Sequence, residues 1–269
     1  MNVVHFSDVH VQLPNWRARR LRELGALRSL ATVELWQGRG RAYDDAADKL
    51  ALLARRGLDA GAAICTGDLT QLGHDEEFAI ARRALGALAA RFVALPGNHD
   101  RFLWNGAGPL FERHFPEQSQ SDLPGPLRVR LLGGEVAVVA LDTAPVPSWP
   151  VYCRGRLSRR TLDDLAALLP SLRQRCTLVA LHHAPRVRNG RPDWPWHGVQ
   201  NGGELLRVCA EGGVQAVLCG HVHDRFDLPA APGRARLLCA GSSTERGREG
   251  YWDLTIEGRR LLRAEARGI

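Results

Sequence analysis

Short clusters rich in histidine and aspartate recur along the chain, and each follows a run of apolar residues. The clusters are, in order, Asp8-Val9-His10, Gly67-Asp68, Gly97-Asn98-His99-Asp100, His182-His183 and Gly220-His221-Val222-His223. Carboxylates, imidazoles and a carboxamide oxygen are suitable ligands for divalent ions such as Mn²⁺, Fe²⁺ or Zn²⁺. Two such ions held about 3.5–4 Å apart can activate water and stabilise the attacking and leaving oxygens of an ester. The residue types therefore predict a site that holds two divalent metal ions.

The spacing within the clusters suits a shared metal centre. In an extended segment residues i and i+2 point to the same side, so Asp8 and His10 can reach one ion. The same holds for His221 and His223. A single histidine of this kind is more often a hydrogen-bonded core residue, but five clusters in order, each after an apolar run, make that alternative poor for the set.

The elements that must position these clusters alternate between strand and helix. Apolar runs of strand length occupy residues 1–6, 62–65, 92–95, 127–132, 136–141, 176–181, 214–219 and 237–240, and two more strands are predicted in 251–262. Helical patterns occupy residues 43–56, 75–90, 158–169 and 203–211. Ligands of open α/β sheets lie beyond the carboxyl ends of strands, so the clusters can meet at one edge. We predict an α/β fold with mixed sheets and one domain over residues 1–269.

The composition excludes several classes of protein. The 269 residues are 45% hydrophobic and 24% charged, which is typical of a globular chain. No run of about 18 apolar residues occurs, and the first residues lack the basic and apolar regions of a signal peptide. The six cysteines are scattered without a C-x-x-C pair, which favours free buried thiols over a disulfide framework. We therefore expect the cytoplasm as the location.

Residues 14–41 interrupt the alternation of strands and helices. They contain seven arginines against two glutamates, and leucines recur at spacings of three or four between Trp16 and Trp36. This pattern predicts an amphipathic basic helix inserted into the domain. The favoured interpretation is a surface helix whose apolar face packs on the domain. The alternatives are peripheral contact with the inner membrane surface and a lid over the substrate.

Five short motifs, S-D-V-H, G-D-L-T, G-N-H-D, H-H-A-P and G-H-V-H, are distributed between Phe6 and His223. Together they resemble the calcineurin-like metallophosphoesterase superfamily. Glu76-Glu77-Phe78 after Gly73, and Gly155-Arg156-Leu157, are similar to its branch of bacterial class III cyclic-nucleotide phosphodiesterases and glycerophosphodiesterases. The resemblance implies a four-layer αββα sandwich of two mixed β-sheets, with a dinuclear metal site at the carboxyl ends of the strands.

The resemblance also implies roles for the cluster residues. Seven side chains would hold two divalent ions: Asp8, His10 and His223 the first, Asn98, His182 and His221 the second, and Asp68 both. The implied reaction is in-line attack of a metal-bridging hydroxide on phosphorus. His99 is expected to stabilise the phosphoryl oxygens or to protonate the leaving alkoxide, with Asp100 orienting its ring.

Differences between this sequence and other branches of the superfamily narrow the set of expected activities. Gln71 stands where purple acid phosphatases have a tyrosine ligand, and His99 stands where the main lipid A pyrophosphatase branch has arginine. The segment after Asp68 lacks the arginine typical of the protein Ser/Thr phosphatases. Scaffold members of the superfamily have lost metal ligands, whereas the full set is present in this sequence.

The loop after His182-His183, residues 184–198, should lie at the rim of the metal site. Its arginine, tryptophan and histidine side chains could stack on and pair with a substrate, which makes substrate-binding candidates of Arg186, Trp194, Trp196 and His197. The alternative, given equal weight, is that the tryptophans seal the loop against the core.

The predicted function is hydrolysis of a small soluble phosphodiester, such as a cyclic nucleotide or a glycerophosphodiester. The alternatives are an enzyme acting on a lipid-linked phosphodiester or pyrophosphate at the membrane surface, a nuclease, and a non-catalytic metal-bound interaction module. The formal net charge of +7 comes from basic residues of which 35 of 36 are arginine, and the favoured interpretation is a GC-rich genome. The alternative is attraction to phosphate-bearing partners. Nucleic acid is not the expected partner, because no nuclease-specific capping domain is evident in the sequence.

Overall fold

The computed structural model describes residues 1–14, Leu35, Gly38, 40–101, 110–144 and 153–269. The amphipathic helix predicted in residues 14–41 lies largely outside this described part. The strands are β1 Asn2–Phe6, β2 Ala63–Cys65, β3 Val93–Ala94, β4 Arg128–Leu132, β5 Val136–Leu141, β6 Cys176–Leu181, β7 Ala216–Cys219, β8 Phe226–Leu228, β9 Leu237–Cys239, β10 Tyr251–Glu257 and β11 Arg260–Arg267. The main helices are α1 Ala46–Ala60, α2 Asp75–Leu85, α3 Leu110–His114, α4 Arg159–Leu168 and α5 Gly202–Glu211, with a helical turn at Gly40–Ala42. Short 3₁₀ turns lie at Gly86–Ala90, His99–Arg101, Pro116–Ser119 and Leu169–Leu172.

The described strands form two mixed sheets. The first has the order β11-β10-β1-β2-β3, and the second has the order β4-β5-β6-β7-β9-β8. In the first sheet β1, β2 and β3 are parallel, while β10 and β11 are antiparallel to their neighbours. In the second sheet β5, β6, β7 and β9 are parallel and the two edge strands are antiparallel. Strands β5 and β6 are buried at every position, as expected for strands covered on both faces.

Three apolar cores separate the layers. Ile64 of β2 and Leu178 of β6 belong to the core between the two sheets. Leu50 of α1 and Phe78 of α2 belong to the core on the outer face of the first sheet. The outer face of the second sheet has its own core, to which Leu162 of α4 contributes. The order of layers is helix, sheet, sheet, helix, which confirms the αββα sandwich that the family resemblance implied.

Helix α1 ends later than the sequence pattern predicts. A glycine such as Gly57 commonly ends a helix, but here the chain continues helically to Ala60 and turns at Gly61, whose φ is 91°. Gly57 serves close packing instead, because a Cβ there would lie 2.9 Å from the Ala63 Cβ and from Leu88 Cδ2. The three-residue strand β8 and the extension of β11 to Arg267 are also additions to the predicted elements.

The cysteines are all free and buried, which confirms the expectation for these thiols. Among the described helices, none has both the length and the apolar character needed to span a membrane. Strands β1, β2, β3, β6 and β7 run so that the residues following them meet at a common edge of the sandwich. That edge carries the predicted metal site.

Candidate metal centre

The side chains that we predicted as metal ligands converge at this edge. They follow β1, β2, β3, β6 and β7, and they are Asp8, His10, Asp68, Asn98, His182, His221 and His223. All are buried except His223, whose side chain is 16% exposed. The structure thus brings together residues that lie more than 200 positions apart in the sequence.

One group of ligand atoms, called site 1 here, comprises Asp8, His10 and His223, with Asp68 beside them. The Nε2 atoms of His10 and His223 are 3.1 Å apart. His223 Nε2 lies 3.2 Å from Asp8 Oδ1, and His10 Nε2 lies 3.8 Å from Asp68 Oδ2. Nitrogen and oxygen atoms with lone pairs at these separations can surround a single small cation.

A second group, called site 2 here, comprises Asn98, His182 and His221, again with Asp68. His182 Nε2 lies 3.0 Å from Asn98 Oδ1 and 3.4 Å from Asp68 Oδ2. The Nδ1 atom of His221 is 3.3 Å from the same His182 nitrogen. Asp68 Oδ2 therefore faces both sites, which is the position expected of a bridging carboxylate.

Hydrogen bonds behind the histidines of site 2 fix which nitrogen faces the site. His182 Nδ1 lies 2.7 Å from the carbonyl oxygen of Thr66, and His221 Nε2 lies 3.0 Å from the carbonyl oxygen of His197. A carbonyl only accepts, so each of these nitrogens carries the proton and the other presents a lone pair to the site.

The acceptor atoms also fit a cation at site 1. Asp8 Oδ2 accepts a hydrogen bond from the amide of His221 at 2.9 Å. Its other oxygen, Oδ1, is buried without a hydrogen-bond partner among the described residues and lies beside His223 Nε2. A buried carboxylate oxygen is costly unless a hydrogen bond or a cation compensates it. The donor set therefore fits two divalent ions, one at each site.

The backbone of the clusters has an uncommon conformation. Six described residues other than glycine have φ in the left-handed region, and five of them are predicted ligands: Asp8 (51°), His10 (54°), Asp68 (53°), His221 (73°) and His223 (53°). This region is unfavourable for residues with a Cβ and is concentrated at functional sites. Such backbone turns aim the side chains back into the pocket beyond the strand ends.

Glycines allow these segments to approach each other closely. A Cβ at Gly220 would overlap Ser7 Oγ and Asp8 Oδ2. At Gly67, where φ is +106°, a Cβ would lie 2.7 Å from His182 Nδ1. Glycine is therefore required at both positions, once for each site.

Electrostatics couple Asp68 to His182. Burial alone would raise the pKa of Asp68, but the nearby His182 and His99 outweigh it and hold this pKa well below its usual value. Burial would likewise lower the pKa of His182, but the charge of Asp68 outweighs it and raises the pKa to about 9. Both shifts have the same origin, the 3.4 Å approach of Asp68 Oδ2 to His182 Nε2. By contrast, burial and the neighbouring histidines hold the pKa of His221 well below its usual value.

His99 lies at the entrance of the metal centre. Its ring contacts His10 edge-on, with centroids 4.7 Å apart, and its backbone amide donates to Asp68 Oδ1 at 2.8 Å. The ring Nδ1 lies 2.7 Å from the carbonyl oxygen of Gln71. That carbonyl accepts the Nδ1 proton, which fixes the tautomer of the ring, and His99 is one of the residues that line the cleft.

The expectation that Asp100 orients the His99 ring is wrong. The Asp100 carboxylate accepts from the hydroxyl of Thr70 at 2.7 Å and from the amide of Gly97 at 2.9 Å. These contacts tie the loops after β2 and β3 together. Burial, with the charge of Asp68 as a smaller cause, raises the pKa of Asp100 to about 6. Asp100 is fully buried and does not line the cleft, so its role is structural.

A cleft of about 710 Å³ opens onto both sites. Trp194 and Trp196 lie at its rim, 66% and 50% exposed, with their rings stacked at a centroid distance of 5.3 Å and an interplanar angle of 15°. His197 also lines the cleft; its ring packs on that of His221 at 3.9 Å, and its Nδ1 pairs with Asp193. The tryptophans thus face solvent at the cleft, and the alternative that they seal the loop against the core is wrong.

Arg186 does not take the position that we predicted. It packs near the start of α5, where a Cβ on Gly203 would lie 2.8 Å from Arg186 Nη2, and it is not among the described residues that line the cleft. The positive side chain that does line the cleft in the described part of the chain is Arg248.

Sequence reasoning also missed Tyr43 and Glu245, which line the cleft beside His223. Glu245 and Arg248 follow β9 just as the predicted clusters follow other strands. Their position after a strand was the available signal for a functional role, but the sequence of this segment is typical of an ordinary turn.

Comparisons with known proteins identify a family and several relatives. The sequence profile of the calcineurin-like phosphoesterase family matches residues 1–225. The 3',5'-cyclic adenosine monophosphate phosphodiesterase CpdA of Escherichia coli K12 is 30% identical over 168 residues, which cover 61% of this chain and 55% of that protein. The glycerophosphodiester phosphodiesterase GpdQ of Enterobacter lignolyticus is 27% identical, covering 61% of this chain and 56% of that protein. The matched regions span just over half the length of these relatives.

Solved structures share the fold. A dimetal phosphatase from Danio rerio superposes with a TM-score of 0.68 at 14% identity, covering 98% of both chains. TT1561 of Thermus thermophilus superposes with a TM-score of 0.56 at 13% identity, covering 99% of this chain and 98% of that one. At these identities the likeness establishes the architecture alone. The family match over most of the sequence goes further, and the chain belongs to the calcineurin-like phosphoesterase family.

Proposed function

We propose that this protein hydrolyses phosphodiesters with two divalent metal ions. The observation that carries the proposal is the shared Asp68 carboxylate, whose Oδ2 faces His10 of site 1 at 3.8 Å and His182 of site 2 at 3.4 Å. The ions, when bound, would activate water and neutralise charge on the phosphoryl group. The ligand mix of carboxylate, carboxamide and imidazole accepts Mn²⁺, Fe²⁺ or Zn²⁺.

The residues of the chain have distinct parts in this reaction. Site 1 would be held by Asp8, His10 and His223, site 2 by Asn98, His182 and His221, and Asp68 would serve both. His99 lines the cleft, and because its Nδ1 donates to the Gln71 carbonyl, Nε2 is the nitrogen that would exchange a proton with a substrate. From there it can donate a proton to the leaving alkoxide or stabilise a phosphoryl oxygen. Asp100 acts only by fixing the loop that carries Asn98 and His99.

The substrate class that we propose is a small phosphodiester, either a cyclic nucleotide or a glycerophosphodiester. CpdA, a cyclic adenosine monophosphate phosphodiesterase, and GpdQ, a glycerophosphodiester phosphodiesterase, support this class. Trp194 and Trp196 offer an exposed aromatic surface on which a base can stack, and His197 lies beside them at the cleft. Arg248 replaces Arg186 as the cation proposed to meet a phosphoryl oxygen.

The test is turnover of bis(p-nitrophenyl) phosphate by purified protein with Mn²⁺, before and after a chelator. We expect chelator-sensitive hydrolysis that metal restores and that Asn98→Ala lowers strongly. Asn189→Ala, on an exposed loop outside the cleft lining, is the matched control and should leave the rate unchanged. If the protein showed no turnover with Mn²⁺, with Fe²⁺ or with Zn²⁺, each tried in turn, the proposal would be contradicted.

We also propose that residues 1–269 form one domain with an insertion at residues 14–41. The pairing of β10 with β1 supports it, because the last strands complete the sheet that the first strand begins. A cytoplasmic location and peripheral contact of the insertion with the inner membrane surface stay predictions. Flotation with anionic liposomes, compared between the full chain and a variant lacking residues 17–36, would test the membrane contact.

A further inference from the structure

His223 is held differently from the histidines of site 2. Its Nδ1 lies 2.9 Å from the hydroxyl of Tyr43 and 3.1 Å from Glu245 Oε2. Both partners are side chains, and both line the cleft. The Tyr43 ring also packs on His10, another predicted ligand of site 1, with centroids 4.8 Å apart.

The identity of these partners determines the tautomer of His223. Its Nε2 faces Asp8 Oδ1 at 3.2 Å and can bind an ion there only if the proton resides on Nδ1. An ionised Glu245 only accepts hydrogen bonds, so it selects that tautomer. The Tyr43 hydroxyl lies 3.3 Å from Glu245 Oε2 and can donate to it, which leaves a lone pair for the Nδ1 proton.

The segment that carries Glu245 is fixed to the predicted ligands themselves. The amide of Glu245 donates to Ser242 Oγ at 3.2 Å, and the Ser242 hydroxyl donates to the carbonyl oxygen of Asp8 at 2.7 Å. The Thr244 hydroxyl donates to the carbonyl oxygen of Val9 at 2.5 Å. The carboxylate therefore moves together with the Asp8–His10 segment, so its distance to His223 is set by the same structure that sets site 1.

We propose that Glu245 and Tyr43 are positioning residues that hold the His223 ring in its metal-binding tautomer and orientation. The inference rests on the proposed two-metal function for the presence of the ions. It adds two residues that no ligand motif contains, and it assigns the segment after β9 to the metal centre.

The decisive variant is Glu245→Gln, because the new amide can donate to Nδ1 and thereby select the wrong tautomer. Titration calorimetry with Mn²⁺ should show one of two ions bound about 10- to 100-fold more weakly, with the other unchanged. Tyr43→Phe should give a smaller loss at the same site. The visible spectrum of the Co²⁺-loaded protein should change in both variants, since the geometry at one ion changes.

Glu249→Gln is the matched control, because Glu249 lies on the same segment but pairs with Lys49 at 2.8 Å outside the cleft lining. It should retain wild-type Mn²⁺ affinities and the wild-type Co²⁺ spectrum. Metal-free melting temperatures of Glu245→Gln and wild type should be similar, which separates positioning from folding. Wild-type affinities and spectrum in Glu245→Gln, or loss of the metal-free fold in that variant, would overturn the inference.

These outcomes are independent of turnover. If the wild-type protein binds two ions in a Glu245-dependent manner but hydrolyses no diester, the proposed function fails and the positioning role stands. If the protein hydrolyses diesters and Glu245→Gln binds both ions normally, the positioning role fails and the function stands. A wild-type protein that binds no ion would overturn both.

Discussion

Site 1 and site 2 share Asp68, but His223 of site 1 is held by different means from the two histidines of site 2. At site 2 the outer nitrogens of His182 and His221 donate to main-chain carbonyls. At site 1 the outer nitrogen of His223 meets the side chains of Tyr43 and Glu245. Main-chain acceptors persist through any substitution that keeps the fold, whereas side-chain partners can be replaced singly. Site 2 is therefore the more robust of the two, and site 1 is the one whose metal affinity substitutions can adjust.

The largest expected effect comes from removing the residue that both sites share. Asp68→Asn keeps an oxygen to accept from the His99 amide, so the fold should persist. The replaced oxygen becomes an NH₂ group that repels cations from both sites. We expect loss of both ions and a fall in kcat/KM of about 10³-fold or more. Elemental analysis after dialysis, with the exposed Asp163→Asn as control, would check this; two retained ions would contradict the bridging role.

A pair of glycine variants should break the sites one at a time. Gly220→Ala places a methyl group against Asp8 of site 1, and Gly67→Ala places one against His182 of site 2. Each should weaken one of the two ions by about 10- to 100-fold, comparable to loss of a positioning contact. Calorimetric titration of both variants would resolve which ion is affected. Equal weakening of both ions in both variants would show that the sites are not separable.

The two sites also differ in the side chains at the rim of the cleft, where substrate would bind. The Trp194–His197 segment contacts His221 of site 2, and Arg248 lies beside His223 of site 1. Trp194→Ala should raise KM for cyclic AMP by about 5- to 100-fold, the usual range for a lost base-stacking contact, and change KM for glycerophosphoethanolamine little. Arg248→Gln should raise KM for both. Equal effects of Trp194→Ala on the two substrates would exclude base stacking.

A smaller effect concerns the stability of the chelated protein at high pH. The pKa of His182 is about 9 in the folded chain, above its ordinary value of 6.5. The folded state therefore binds the proton more tightly than the unfolded state, which adds to the free energy of unfolding. This stabilisation is complete below about pH 6.5 and is lost as pH rises towards 9. We expect the melting temperature in a chelator to fall over that range, and to fall less in His182→Gln. Identical pH profiles for the two proteins would contradict the Asp68–His182 coupling.

His5 gives the opposite sign and serves as a reference outside the metal centre. Burial, helped by the charge of Arg225, lowers its pKa to about 3. The unfolded chain then binds the proton more tightly, so stability from neutral His5 is present above about 6.5 and is lost as pH falls towards 3. His5→Gln, which can keep a hydrogen bond to Thr66, should reduce the decline in melting temperature on acidification. A steeper decline in the variant would show that burial does not control this histidine.

The residues of the site differ in how well the sequence predicts their position. The apolar runs before Asp8, Asp68 and His182 predicted strands and their common edge, because burial on both faces leaves a pattern that survives in the sequence. Glu245 and Tyr43 left no such signal. They act through single side-chain contacts between segments some 200 residues apart, and no periodicity or spacing encodes such a contact. The prediction that Arg186 lines the cleft was wrong for a related reason. The position of a residue in a loop does not determine where its long side chain points.

Five predicted ligands combine a metal-binding side chain with a left-handed backbone: Asp8, His10, Asp68, His221 and His223. Replacing any of them by glycine would relieve the backbone strain but would also remove the side chain that is predicted to bind a metal ion. The strain therefore cannot be removed without losing a ligand. We expect the main chain to keep its course when ions are removed, because contacts within the polypeptide, such as the His221 amide donating to Asp8 Oδ2, hold these turns. Amide hydrogens along these turns should accordingly exchange at similar rates in the stripped and the reloaded protein.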